Sequence, residues 1–546
     1  YISVLVKMVA GVAFSLLALL VVAVYAYYKI YERYFKLGSQ LPGPHYVETF
    51  KRYLDSRKPP DQIFKVALEI ASKYNDVVRL WAGPYAFVGV FNPADVELIL
   101  GSSVHLEKSG EYRFFQPWFG NGLLISNGDV WKSHRKMIAP TFHMNILKSF
   151  FPTFNEISRK VCKKMEHEKG KPFDCHEYMS GVTVDILLET VMGYKEPRTE
   201  DSGFEYALAV MKMCSIIHQR SYKPWLRFDS LFKQTKYRTE HDKLLGIIHN
   251  LTNKAVDYRR KNHLQKKTEV VETKTLLVRE EKQKIVMDKI QGYNNGTAVR
   301  DDLDENDEND VGEKKRLAFL DALTEAALQE GVNFTDQEVR DQVSTIMFEG
   351  HDTTAAGSSF VLCMLGVHQN IQERVIQELD EIFQKADRPV TYQDTLEMKL
   401  LERVIMETLR MYPPVPIIAR KVKEDVKLAS GDYTIPEGAT VILAPFVMHR
   451  NPKSFPNPNV FNPDNFLAEK CQERHYYSYI PFSAGPRSCV GRKYAMLKLK
   501  VLLATILRRY KVKSTVDEKD FILQGDIILK RTDGFMIQLE DRQEIY

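Results

Sequence analysis

The sequence predicts a mainly α chain with a small β region, preceded by one membrane-spanning helix. Apolar residues recur at helical spacing through most of it, as Leu499, Leu502, Leu503 and Ile506 do at i, i+3, i+4 and i+7. Strand-like runs are few. Residues 77–81 and 85–90 flank Gly83-Pro84 and read as a hairpin, and a second strand pair is expected within residues 432–445. Residues 8–28 carry no charge between Lys7 and Lys29.

That charge-free run is long enough to cross a hydrocarbon core about 30 Å thick as a helix. A cleaved signal peptide is the competing reading; the length of the run and the lack of a small-residue cleavage pattern before Tyr27 and Tyr28 disfavour it. Lys29, Arg33 and Lys36 follow the run while only Lys7 precedes it, so the positive-inside bias places the large C-terminal part in the cytosol. The sequons at Asn295 and Asn333 then face the side that is not glycosylated. The chain begins at Tyr1 and not at Met, so a few further N-terminal residues are expected. Leu41-Pro42-Gly43-Pro44 stops any helix leaving the membrane and makes a stiff hinge. Residues 1–40 are thus an anchor, and 41–546 form one large domain.

With 546 residues, 44% of them apolar, that domain can bury an ample core. A net charge of +5 gives no argument for nucleic acid. The six cysteines, at 162, 175, 214, 363, 471 and 489, show no Cys-x-x-Cys pairing, so neither a zinc site nor a disulfide framework is indicated and a reducing compartment fits. Residues 262–312 are rich in Lys, Glu, Gln and Asn, with seven acids within 301–310. Such a stretch cannot bury enough apolar area to offset its ordering entropy, and a mobile, disordered surface insertion is expected.

Chemistry-bearing residues cluster in four places. Trp131 and Arg135 are four apart and share a helix face, an arrangement that alone reads as a stacked surface pair. Thr335-Asp336-Gln337-Glu338 forms a capping box that opens a helix running to about Gly366. Inside that apolar helix stand Glu349 and Asp352, costly to bury without partners and therefore expected to have a role. Glu349, Asp352, Thr353 and Ala356 fall at i, i+3, i+4 and i+7 and are expected to share one face, with Ala356 leaving room for a flat cofactor. The alternative is that Thr353 merely bonds its i−4 carbonyl and bends the helix. Glu407 and Arg410, three apart, alone read as a surface pair.

The fourth place is Phe482-Ser-Ala-Gly485-Pro-Arg487-Ser-Cys489-Val-Gly491, which presents one cysteine just before a helix. Its glycines let backbone pass close to a flat macrocycle, and the planar fork of Arg487 suits an anionic edge. The following helix N-terminus favours negative charge and is expected to lower the thiol pKa. Cys489 therefore reads as a thiolate ligand to haem iron, with a buried free cysteine in a turn as the plainer alternative.

This string is similar to the haem-binding signature of the cytochrome P450 family, Phe-x-x-Gly-x-Arg-x-Cys-x-Gly, with every fixed position filled. The resemblance implies the cytochrome P450 haem-thiolate fold and haem b with Cys489 as metal ligand, Phe482, Arg487 and Gly491 being among the cofactor-binding residues. It also implies that the sulfur donates electron density and helps cleave the O–O bond of O2. Trp131-x-x-x-Arg135 resembles the family's propionate clamp, and Arg420 stands where the family offers another propionate partner. Gly350-His351-Asp352-Thr353-Thr354 resembles the oxygen-activation motif, which implies that Asp352 and Thr353 order water and relay protons. Glu349 occupies the position where family 4 enzymes can esterify a haem methyl.

Glu407-x-x-Arg410 resembles the family's buried lock, whose third member is normally the Arg of Pro-x-Arg-Phe. Here that string reads Pro463-Asp464-Asn465-Phe466, so Asn465 supplies hydrogen bonds without charge. Pro117-Trp118-x-Gly120-x-Gly122-Leu123-Leu124 and Pro140-Thr141-Phe142-His143 resemble family 4, and the acidic insertion resembles its insect subfamily G. That likeness implies oxidative decarbonylation of long-chain fatty aldehydes to cuticular hydrocarbons. Fatty-acid ω-hydroxylation is the alternative, and a non-catalytic haem-thiolate lipid binder or sensor is an alternative of another class. Both lipid reactions need a deep apolar channel, with walls expected from residues 114–124 and 204–225. No Gly-x-Gly-x-x-Gly loop is present for a dinucleotide. NADPH-derived electrons are therefore expected from NADPH–cytochrome P450 reductase at the endoplasmic reticulum membrane. A basic face of Lys132, Lys136, Arg492, Lys493 and Lys498 is expected to dock it.

Overall fold

The computed structural model describes residues 2–46, 48–49, 59–74, 76–195, 202–277, 317–328 and 334–542. The acidic run 301–310 and both sequon asparagines lie outside those residues. Helix α1, Ile2–Ile30, is long and apolar enough to cross a membrane over Ala10–Lys29, and that stretch is exposed throughout. A second helix, α2 (Glu32–Gln40), continues from it and ties it to the sheet region. Phe35 stacks at 5.6 Å on Trp81, and the Ala86 N–H donates to the Tyr34 hydroxyl at 2.7 Å. The Pro-rich linker is clamped as well, since the Arg79 N–H donates to the Pro42 carbonyl and a Cβ on Gly43 would lie 2.1 Å from the Arg79 carbonyl oxygen.

The expected hairpin is present as β1 (Val77–Ala82) and β2 (Tyr85–Val90), paired from Val77 opposite Val90 to Ala82 opposite Tyr85 across Gly83 at φ 59°. Strands at Thr434–Ile435 and Thr440–Leu443 also form, but they do not pair with each other. The first joins Val426–Lys427; the second runs parallel to β2 and antiparallel to β3, Ile418–Lys421, completing a four-stranded sheet. Both strands thus lie within the expected range, but the expected pairing between them is not made, and each finds its partners elsewhere in the chain.

Most of the remaining chain is helical. The principal pieces are α3 (Gly128–Ile138), α4 (Cys175–Thr190), α5 (Ser202–Tyr222), α6 (Lys236–Leu277), α7 (Asp336–Val367), α8 (Lys399–Met411) and α9 (Arg492–Arg509). Helix α6 runs to Leu277, so the backbone remains helical well past residue 262, where the insertion was expected to begin. Helix α7 opens on the expected box: the Thr335 hydroxyl accepts from the Glu338 N–H, and the Glu338 carboxylate accepts from the Thr335 N–H at 2.7 Å. Nearly every side chain of α7 from Val339 to Gly366 is buried, which makes it the axis of the core. Leu499, Leu502, Leu503 and Ile506 of α9 all face inward, as their spacing requires.

The Glu407–Arg410 pair is fully buried and bidentate, at 2.7 and 2.9 Å. Arg410 also donates to the carbonyls of His449, Pro458 and Val460, while Glu407 accepts from the Asn462 N–H and from Asn465 Nδ2 at 3.1 Å. Asn465 therefore contributes a neutral hydrogen bond where the family has a cation. Glu407→Ala strands a buried guanidinium and is expected to cost roughly 3–5 kcal/mol. Asn465→Ala removes one hydrogen bond and is expected to cost about 1 kcal/mol. Urea midpoints at unchanged slope will show the difference.

Candidate active site

The Cys489 loop is locked by its own backbone. The Cys489 N–H donates to the Phe482 carbonyl at 2.9 Å, and the Ser488 N–H donates to that of Gly485. Gly485 sits at φ 70°, and a Cβ there would meet the Leu100 carbonyl oxygen at 1.9 Å, so glycine is required twice over. The sulfur faces a cavity of ≈ 470 Å³ bounded by α7 on one side and the Phe482–Gly491 loop and the start of α9 on the other. Cys489 is exposed only in the sense that its surface opens into this enclosed space. Burial pushes its thiol up to about 11, Glu349 adds to the rise, and the Gly491 N–H works the other way. The expected lowering by the helix N-terminus is thus present as a contribution and is outweighed by desolvation.

Four cations line the same cavity: Lys108, Arg135, Arg420 and Arg487. Arg135 donates to the Ser488 carbonyl at 2.8 Å, Arg420 to that of Ala419 at 3.1 Å, and Arg487 to the Ser126 carbonyl and to Asn127 Oδ1. Trp131 is buried and lies beneath the Arg487 guanidinium at 4.4 Å, so the tryptophan stacks on Arg487 and not on the Arg135 of its own helix. Burial and Arg420 hold Arg487 down at about 9; burial, Arg420 and Arg487 hold Lys108 well below the usual lysine range. Lys108 belongs to no motif, and its role was not legible in the sequence.

Helix α7 presents Ile346, Phe348, Glu349, Gly350, Thr353, Thr354 and Gly357 to the cavity, while Asp352 and Ala356 are absent from its lining. At about 100° per residue all of these but Phe348 centre on one direction, from which Asp352 points roughly 130° away. The expected single face is therefore rotated, and the small residue beside the cavity is Gly357. Asp352 is buried with Lys530 Nζ 3.5 Å from Oδ2, and Lys530, His351 and His176 hold its carboxyl low against burial. The Thr353 hydroxyl donates to the Glu349 carbonyl at 2.6 Å, the i−4 bond weighed above. Lys132, Lys136 and Arg492 are exposed and Lys493 is half-buried, but Lys498 is not part of a basic surface. It is buried, donates to the Gly350 carbonyl at 2.7 Å, and is held at about 7 by desolvation.

A single cysteine at the mouth of a helix, a flat cleft against a long buried helix and a ring of cations define a haem-thiolate protein. The sequence matches the family profile "Cytochrome P450" over residues 41–539, and the chain belongs to that family of monooxygenases. It is 51% identical to cytochrome P450 4g15 of Drosophila melanogaster over 93% of both chains. To cytochrome P450 4g1 of the same species it is 53% identical over 88% of this chain and 85% of that one. Human cytochrome P450 4V2 is 37% identical over 88% of this chain and 86% of its own. The chain is thus a family 4 enzyme close to the insect 4g members. The crystal structure of the cytochrome P450DA heme domain shares the fold, with TM-score 0.71, 18% identity, and coverage of 92% of this chain and 98% of that one.

The family's cofactor is haem, and the residues present fit it. Nε and Nη1 of Arg487 are buried without a partner beside a cavity whose four cations repel one another, the donor set that two propionates would satisfy. Glu349 faces the same space with its carboxyl raised from 4.5 to about 7 by burial, Lys108 and Arg135 opposing. Because the folded value lies above the unfolded one, ionised Glu349 opposes folding in full above neutral pH and not at all below 4.5. Glu349→Gln should stabilise the haem-free protein above neutral pH by on the order of 3 kcal/mol at most. In melting curves across pH, that gain should vanish as pH falls toward 4.5.

Proposed function

We propose that the chain is a membrane-anchored monooxygenase of long-chain aliphatic substrates, and that its main reaction converts fatty aldehydes to hydrocarbons one carbon shorter. The observation that carries this reading is the composition of the cavity wall. Phe115, Leu123, Ile346, Phe348, Val415 and Ile528 line it, so an alkyl chain would be desolvated along its length while its end approaches the α7 side of the cavity, across from Cys489. Phe115, Leu123 and Leu124 come from the first expected wall segment, and His218 and Ser221 from the second; Trp225 instead lies half-exposed at the surface.

Haem bound through Cys489 supplies the oxidising centre for cleaving a substrate C–H or C–C bond with O2. The chain's own part is positioning. Lys108, Arg135, Arg420 and Arg487 would hold the propionates, and the Trp131 ring lies against the Arg487 guanidinium. The Thr353 hydroxyl, fixed by its bond to the Glu349 carbonyl, offers its lone pairs to a water in the cavity. Asp352 sits behind α7 and supports proton supply from that side, a positioning role. Exposed Lys132, Lys136 and Arg492, near the Cys489 loop, suit an acidic electron donor, and NADPH–cytochrome P450 reductase of the endoplasmic reticulum membrane is the partner this reading requires. Helix α1 would hold both proteins on one membrane, with the catalytic domain in the cytosol.

Purified protein with reductase, NADPH and octadecanal is expected to yield heptadecane. Oxygenated products of unchanged carbon number and no hydrocarbon would instead make the chain a hydroxylase, and no substrate-dependent NADPH consumption would leave a lipid binder. We propose further that the Glu349 carboxylate forms an ester to a haem methyl in exchange for one of its C–H bonds, the two electrons being taken up during turnover with O2. Acidic organic extraction of the denatured protein is expected to leave haem on the polypeptide, whereas Glu349→Ala releases all of it.

A further inference from the structure

Gln342 heads the stripe of α7 that continues through Ile346, Glu349 and Thr353, at i+4, i+7 and i+11, and those three line the cavity. Its side chain is fully buried, and the two ends hold different parts of the site. Oε1 accepts from the Leu123 N–H at 2.9 Å, and Nε2 lies 2.9 Å from Nδ1 of His134. Because a main-chain N–H only donates, the amide has one orientation, in which Nε2 donates to Nδ1. The other ring nitrogen of His134 lies 3.5 Å from Oε1 of Glu338, the capping-box residue of α7.

Leu123 and Leu124 are cavity wall. The backbone ahead of them has no slack. The Asn121 N–H donates to Asp341 Oδ2 at 2.8 Å, and a Cβ on Gly120 or Gly122 would collide with the Asp341 carboxylate or the Thr345 hydroxyl. His134 stands on α3 between Trp131 and Arg135, on the helix face that carries both. We propose that Gln342 is a positioning residue for turnover: it holds the Leu123–Leu124 wall and the clamp helix α3 in one frame with α7, and so fixes where the end of an alkyl chain rests. The inference deepens the long-chain reading above and rests on it. Other bonds already tie these pieces into the fold, since Asn121 joins the loop to α7 and Arg135 joins α3 to the Ser488 carbonyl. Gln342 adds what they lack, a direct link from the wall across α7 to α3. Such a link matters for the reacting end of a substrate, where a misplacement of about 1 Å costs on the order of 100-fold in rate.

The experiment titrates haem-loaded protein with octadecanol and follows the Soret shift, whose limiting size reports how closely the chain end approaches the iron. Gln342→Met fills the same space and removes both bonds. Its limiting shift is expected to fall at least threefold, with haem content and the carbon monoxide spectrum of the reduced protein as in the native chain. Gln342→Glu keeps an acceptor for Leu123 and lets His134 donate in its turn, so it should restore the shift to within twofold of native. A merely structural amide would lower the melting midpoint and the haem content of Gln342→Met while the molecules that load haem shift fully, and that result overturns the proposal. Should Gln342→Met load no haem, Gln342→Asn decides alone: it stays polar but is one methylene too short to reach both partners, and a native limiting shift from it overturns the proposal equally. If octadecanol gives no shift with the native protein, the long-chain reading falls along with this one; if native and variants shift alike, only this one does.

Discussion

Lys108, Arg135, Arg420 and Arg487 reach one cavity from four separate stretches of chain, and their mutual repulsion has to be borne by the scaffold. Backbone carbonyls accept from the three arginines, and the Trp131 ring lies against Arg487. Such an arrangement is unfavourable by itself and becomes favourable only with a dianionic group between the cations. A protein that carries it must be rigid enough not to relieve the repulsion by moving the side chains apart. The rest of the architecture serves that requirement.

Rigidity comes from buried polar contacts that cross between elements. Arg410 and Glu407 pin α8 to the segment 449–465 through carbonyls and amides that only a fully satisfied pair can hold in the interior. Lys498 does the same between the helix behind Cys489 and the middle of α7, donating to the Gly350 carbonyl one residue from Glu349. The side of the cavity that carries the sulfur and the side that carries Thr353 are thus joined by a hydrogen bond behind the cleft. Leu187 closes the same point: a Cβ on Gly350 would come within 2.9 Å of it.

What was legible in the sequence was what is determined locally. The capping box at Thr335, the turn at Gly83 and the Cys489 loop each depend on residues within a few positions of one another, and each forms as read. The phase of α7 was not local. Glu349, Asp352 and Thr353 fit one face on paper, but the rotation is set by Lys530, which draws Asp352 to the side away from the cavity. Lys498 was misassigned because a lysine on a helix is normally solvated, and only the approach of α7 provides the carbonyl that lets it be buried. Lys108 carried no signal, since its position depends on the Asn127 side chain accepting from its N–H, a contact between loops.

The thiol and the cations then explain each other. In an enclosed, largely apolar space a lone thiolate is disfavoured, and burial holds Cys489 protonated at neutral pH. A metal cation reverses that balance, because a coordinating thiol loses its proton outright. Of the four cavity cations only Arg135 is felt at the sulfur, and together with Arg492 it is outweighed by desolvation. The four are placed for the propionates, while the iron must compensate the sulfur. The same burial raises the Glu349 carboxyl, which disfavours a further negative charge at the site. The buried thiol and the crowded cations are thus costly in the direction that binding the iron macrocycle corrects, so cofactor binding and the stability of the fold are linked.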